Sequence, residues 1–153
     1  YAETPFCLVV NGDNDEIKSF EDLNGKVCAN SPSSTAGKIA QSYGASTADA
    51  DLTGAMDMLN TNRVDGHVNN VAAVDEYMKN RPDVNVKIAA VFQPADDQKY
   101  MIESAAMFRK EDQALCDKVS EIISEMIQDK TLYNLTVKYF GQTVADSVSL
   151  YNK

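Results

Sequence analysis

The sequence predicts an α/β fold built on a mainly parallel sheet, and three observations carry that reading. Short apolar runs bounded by turn residues, "FCLVV", "VCA" and "VNVKIAAVF", have the length and β-branched content of buried strands. Between them lie stretches with apolar residues at helical spacing, so strands and helices alternate along the chain. The composition is that of a packed protein, with 44% hydrophobic and 24% charged residues among 153.

Each element follows from its residues. "FCLVV" leaves through the turn "NGDND", and "SFEDLNGK" forms a short acidic turn before a strand at Val27 to Ala29. "SPSSTAGKIAQSYGAS" supplies Pro32, the hydroxyl run Ser33, Ser34 and Thr35, and then a helix that Gly44 terminates. Leu52, Ala55, Met56 and Leu59 predict an amphipathic helix over residues 51 to 61. "DGHVN" is long enough only for a buried strand, and Ala72, Ala73 and Tyr77 mark a further helix that ends before Pro82.

The last third has a different rhythm. Residues 101 to 109 suit an extended segment, after which Leu115, Val119, Ile122, Ile123 and Met126 recur at helical spacing. A second helix carries Leu132, Leu135, Tyr139 and Phe140, with Gly141 placed to cap it. Two consecutive helices with broad apolar faces require something to pack against.

Composition narrows the partners. Against 14 basic residues stand 23 acidic ones, and the formal charge of -9, with no local basic patch, makes nucleic acid an unfavourable partner. No apolar run approaches the roughly 18 residues of a membrane helix. The start "YAETPFCLVV" has neither an initiator Met nor a signal-peptide pattern, so a processed or trimmed chain is expected. Cys7, Cys28 and Cys116 lack metal-knuckle or redox spacing and are expected to be small buried hydrophobes.

Among groups that could carry chemistry, the "SPSSTAGK" turn is the most informative. Ser33, Ser34 and Thr35 offer hydroxyls and main-chain N–H groups at a helix N-terminus, which suits either plain capping or a bound anion such as a carboxylate. A phosphate loop is excluded, because Pro32 stands at its first Gly and Ile39 where Ser or Thr should follow Gly37-Lys38. His67 is the only histidine, so this chain can assemble neither a triad using His nor a multi-His metal site, and a structural role is expected for it. The pairs Asp49 with Asp51 and Asp96 with Asp97 read as solvated turns, and the "NLT" sequon at Asn134 falls inside a helix. No catalytic group, metal or cofactor is expected.

Three phrases carry a family likeness. "FEDLNGKVCA" resembles an Asp-Leu-x-Gly-Lys-x-Val stretch, "MLNTNRVDGHVNN" a Leu-x-x-Gly-Arg-x-Asp-Ala stretch, and "FRKEDQALCDKVSEIISEMIQDKTLYNLTVKYFG" a pair of closing helices. Together they resemble the extracytoplasmic solute-binding proteins of amino-acid ABC importers. That resemblance implies a periplasmic-binding-protein-like α/β lobe together with C-terminal helices belonging to the other lobe. Residues 1–11 correspond to a hinge-crossing strand, 12–99 to the second lobe, 100–109 to the returning hinge strand and 110–153 to helices of an incomplete first lobe.

The resemblance further implies capture of an amino acid or similar small polar solute, delivery to an ABC permease, and an extracytoplasmic location, periplasmic or lipid-anchored. Ser33, Ser34 and Thr35 fall at the family's hydroxyl turn for the ligand carboxylate, and Asn70 at a position that commonly holds an Asp facing the ligand ammonium. Asn70 reads equally as the N-cap of the following helix, with Asn69 able to take that role instead. A shortened first lobe is expected to expose apolar helix faces and to favour self-association. The alternatives are a sensory ligand-binding domain and, more remotely, a dehydratase-like enzyme on the same scaffold.

Overall fold

A computed structural model describes residues 2–148 and Tyr151. The chain divides into two compact units, one of residues 6–93 and one joining residues 1–5 to 94–153.

The first of these is the α/β unit. Its strands are β2 (Phe6–Asn11), β3 (Val27–Ala29), β4 (Ser46–Ala48), β5 (His67–Asn70) and β6 (Val86–Val91), where β1 is Ala2–Glu3 of the other unit. Its helices are α1 (Thr35–Ser42), α2 (Leu52–Asn60) and α3 (Val71–Asn80). Strand β3 pairs in parallel with β4, and a parallel bridge between Cys28 and Gly66 brings β3 beside the start of β5. Strand β2 lies between β5 and β6 and runs antiparallel to both. Four strands therefore share one direction, and β2 is the exception.

The apolar content of β2 explains its central place. Cys7, Leu8, Val9 and Val10 are all fully buried, as a strand covered on both faces requires. Side chains from each helix close over the sheet: Ile39 and Ala40 from α1, Ala55, Met56 and Leu59 from α2, Val71 and Val74 from α3. An aromatic cluster seals one part of the unit, with Phe20 at 5.3 Å from Tyr43 and 5.5 Å from Phe92.

Local chemistry fixes the helix ends. Ser34, Asp51 and Asn70 cap α1, α2 and α3 by accepting from the N–H of Gly37, Gly54 and Ala73. Gly44 closes α1 at a φ of 85°, donating to Gln41 while Ala45 donates to Ala40, a helix end that favours glycine. Helix α3 stops at Asn80, before Arg81 and Pro82, as the pre-proline restriction demands.

The second unit holds β1, β7 (Glu103–Ser104), a 3-10 turn at Asp96–Met101, and the helices α4 (Gln113–Gln128), α5 (Thr131–Phe140) and α6 (Gln142–Ser147). The extended reading of residues 101 to 109 holds only for β7, whose two residues pair with β1, and the residues after Ser104 adopt no regular element before α4. Thr4 and Pro5 separate β1 from β2; Pro5 has no N–H to continue a ladder. Helix α6 was not foreseen from the sequence. Val144, Ala145 and Val148 are buried there, and Tyr133 donates to Asp146 at 3.0 Å.

Helices α4 and α5 keep apolar side chains in solvent, with Leu115, Ile122, Leu135, Tyr139 and Phe140 all exposed. A 390 Å³ apolar hollow on α4 is lined by Phe108, Val119, Ile123 and Ile127. Cys116 lines it too and is only half-buried, unlike Cys7 and Cys28, because the face it occupies is uncovered. No helix among the described residues is long and apolar enough to cross a membrane.

Candidate functional site

At the ends of β3 and β5, where α1 and α2 begin, the α/β unit carries a hollow of 360 Å³. That volume falls within the roughly 300–1,000 Å³ of small-ligand sites, and the ends of parallel strands beside helix N-termini are where open α/β sheets bind ligands. Its walls come from residues 30 to 36, residues 50 to 52, Phe6, and His67 through Asn69.

The first wall is the "SPSST" corner. Ser34 donates to the Ser31 carbonyl through both its N–H, at 3.1 Å, and its hydroxyl, at 2.8 Å, and its Oγ accepts from Gly37 N–H at 3.0 Å. Its hydroxyl is thereby committed to the turn. The N–H groups of Thr35 and Ala36, in the first helical turn, have no intramolecular acceptor among the described residues, and both residues line the hollow. Free first-turn donors with the positive end of α1 behind them can hold a carboxylate. Gly37 is required by this corner: a Cβ there would meet the Ser31 carbonyl oxygen at 2.1 Å.

The floor is polar, and its side chains are tied to main chain and to one another. Asn30, only 3% exposed, uses its amide as a stand-in for main chain, donating to Val68 O at 2.8 Å and accepting from Val68 N at 3.0 Å. His67 places Nδ1 against the Ala29 carbonyl and Nε2 against the Asn69 amide nitrogen. Because a carbonyl only accepts, Nδ1 carries the proton and Nε2 accepts from Asn69. Burial lowers the His67 pKa and outweighs the opposing bond to Ala29, so the ring is neutral.

The sequence-predicted residues fall in different places. Ser34 and Thr35 line the hollow, whereas Ser33 stands on the exposed outside of the turn and is not among the lining residues. Asn70 is also absent from the wall. Its Oδ1 accepts from Ala73 N–H at 2.8 Å as the cap of α3, and its Nδ2 approaches Asn69 Oδ1 at 3.4 Å. It is Asn69, the residue expected to be able to take the capping role, that lines the hollow. The sequence reading passed over Asn30, and it took Asp51, paired with Asp49, for a solvated turn, whereas Asp51 caps α2 and lines the hollow. A polar residue directly after the apolar "VCA" was the available signal for Asn30, and an Asp immediately before the apolar spacing of residues 52 to 59 was the available signal for a cap at Asp51, though not for a cavity beside it.

No protein-family model matches the chain. Among curated proteins it is 33% identical over 146 residues to the L-cystine-binding protein TcyA of Bacillus subtilis, matching 95% of this chain and 52% of that protein. It is 30% identical over 138 residues to a probable amino-acid ABC transporter-binding protein of Haemophilus influenzae, matching 90% and 51%. Among solved structures, the L-cystine solute receptor of Neisseria gonorrhoeae, in its unliganded open conformation, superposes with a TM-score of 0.69 at 29% identity, over 95% of this chain and 62% of the other. The chain's homologues and structural neighbours are thus amino-acid solute-binding proteins of ABC transporters. It spans about half the length of the curated relatives it matches.

Proposed function

We propose that this chain is the ligand-holding part of a binding protein that captures an amino acid outside the cytoplasm and presents it to an ABC permease. The observation that carries the reading is the hollow beside the first turn of α1, where the unpaired N–H groups of Thr35 and Ala36 and the Thr35 hydroxyl offer a seat for a carboxylate. The work is non-covalent. Affinity comes from a few placed hydrogen bonds, and Ser34 contributes by holding the turn rather than by touching ligand.

Because two of the relatives are named for L-cystine, that amino acid heads the list of ligands. A ligand that binds only the native state raises the melting midpoint by mass action. A thermal-shift panel of the common amino acids and L-cystine, run on this chain, should show a concentration-dependent rise with at least one of them. Silence across the panel would count against amino-acid capture.

We also propose that the uncovered apolar faces of α4 and α5 associate with a second copy of the chain. Exposed Leu115, Ile122, Tyr139 and Phe140, beside the apolar hollow on α4, support this reading, since contiguous apolar surface favours association. Light scattering at increasing concentration should give a mass above 16.8 kDa, and a constant monomer mass would overturn it.

A further inference from the structure

We propose that Asp51 is the specificity determinant of the hollow, supplying the negative charge for a ligand's ammonium or other cationic group in place of the neutral residue at position 70. The inference rests on the amino-acid-binding reading above and names the chemistry that reading leaves open.

A zwitterion needs a counter-charge at each end. The α1 corner offers donors for the carboxylate but nothing for the cation, and the remaining polar groups around the hollow are neutral or already committed. Asn30 is neutral and held by one donated and one accepted bond to the Val68 main chain. Asn69 accepts from Asn70 N–H at 2.8 Å and donates to the neutral His67 ring. The Ser34 hydroxyl belongs to its turn. Asn70 does not line the hollow.

Asp51 is the one lining residue that carries a formal charge. Its Oδ1 accepts from Gly54 N–H at 2.8 Å, while Oδ2 has no hydrogen-bond partner and the carboxylate no ion-pair partner among the described residues. One oxygen therefore caps α2 and fixes the carboxylate, leaving the other available to a ligand. Holding the carboxylate through the cap limits the ordering cost that a flexible side chain would bring to binding. The chain's overall negative charge adds a general attraction for cationic solutes.

The capping role can be separated from the binding role by substitution. Asn caps a helix about as well as Asp, so Asp51→Asn keeps α2 intact while removing the charge. Asp49→Asn removes an equal charge from a neighbouring exposed residue that does not line the hollow. The two ligands to compare are L-cystine and 3,3′-dithiodipropionate, which is cystine without its ammonium groups, with L-arginine as a second cationic probe.

In calorimetric titrations Asp51→Asn should weaken L-cystine or L-arginine binding by about tenfold or more, the scale of a lost charge-assisted hydrogen bond. It should leave dithiodipropionate unchanged or tighter, and Asp49→Asn should leave all three unchanged. Equal affinity of wild type and Asp51→Asn for the ammonium-bearing ligand would overturn the assignment and leave the binding reading standing. Equal loss of both ligand types, or the same loss in Asp49→Asn, would also overturn it. If wild type binds no amino acid, the reading itself fails and the assignment falls with it.

Discussion

The Nδ1 of His67 lies 2.5 Å from the carbonyl oxygen of Ala29, joining the first residue of β5 to the last of β3 through a side chain. The pairing fixes the tautomer, and the tautomer in turn fixes the amide of Asn69. Protonating Nε2 would set two donors against each other across the 3.1 Å contact with Asn69.

Acidification is therefore expected to destabilise the protein through this ring. Burial places the folded pKa of His67 below its ordinary value, so on acidification the unfolded chain takes up a proton first. Stability from the neutral ring is complete above about pH 6.5 and falls as pH drops below it, at no more than about 1.4 kcal/mol per pH unit. Carboxylates titrate lower still. Melting curves between pH 7 and pH 5 should fall more steeply for wild type than for His67→Gln, and parallel slopes would exclude the ring as the cause.

Asn70 should behave as a cap. Asn70→Ala removes the acceptor for Ala73 N–H and should cost about 1 kcal/mol in chemical denaturation. Asn70→Asp keeps that acceptor but loses the Nδ2 that approaches Asn69 Oδ1, turning a weak attraction into a contact between acceptors. It should fall between wild type and Asn70→Ala. An alanine variant as stable as wild type would show that the cap contributes nothing.

How far the sequence was legible follows from which residues act locally. The helices α1, α2 and α3 could be read because their caps, their apolar spacing and the stops at Gly44 and Pro82 lie within the segments themselves. The antiparallel course of β2 could not, since an apolar run reports burial and carries no information about the direction of its neighbours. The site divides in the same way. The Ser34 and Thr35 corner is local and was visible, whereas Asn30 acquires its meaning from Val68, thirty-eight residues away, and Asp51 from a cavity wall shared with another helix. The choice between Asn69 and Asn70 turned on one residue of register, which capping patterns leave open.

Gly37→Ala tests the corner. The added Cβ would sit 2.1 Å from the Ser31 carbonyl oxygen and 3.2 Å from Pro32 Cα, so relief has to come from main chain rather than from a flexible side chain. Although Ala is the better helix former, the variant should lose about 1–3 kcal/mol, as overpacked sites do. A variant more stable than wild type would mean that the turn is free to move.

The thiols should separate by accessibility. Burial pushes Cys7 up to about 12 and Cys28 also to about 12, with Asp65 adding to the second, so both are protonated as well as enclosed at pH 8. Cys116 lies half-exposed on α4. Native alkylation followed by mass spectrometry should modify Cys116 first and the other two only in denaturant. Rapid native labelling of Cys7 would contradict the closed packing of β2.

The strongest single dependence is expected at Asn30. Its amide satisfies both the N–H and the C=O of Val68, a residue that is itself fully buried, so Asn30→Ala would strand one donor and one acceptor away from water. At about 1–3 kcal/mol for each unsatisfied group, a loss of roughly 2–6 kcal/mol is expected. Asn30→Asp makes the test sharper, since it conserves volume and keeps the acceptor for Val68 N–H while setting a second acceptor against Val68 O. A buried carboxylate there is held above its unfolded pKa, so the variant's stability should decline as pH rises past about 4, opposite in sign to the His67 effect. Denaturation midpoints for wild type, Asn30→Ala and Asn30→Asp at pH 4 and pH 7 decide the matter. If Asn30→Asp is no worse at pH 7 than at pH 4, water reaches Asn30 and the floor of the hollow is not closed.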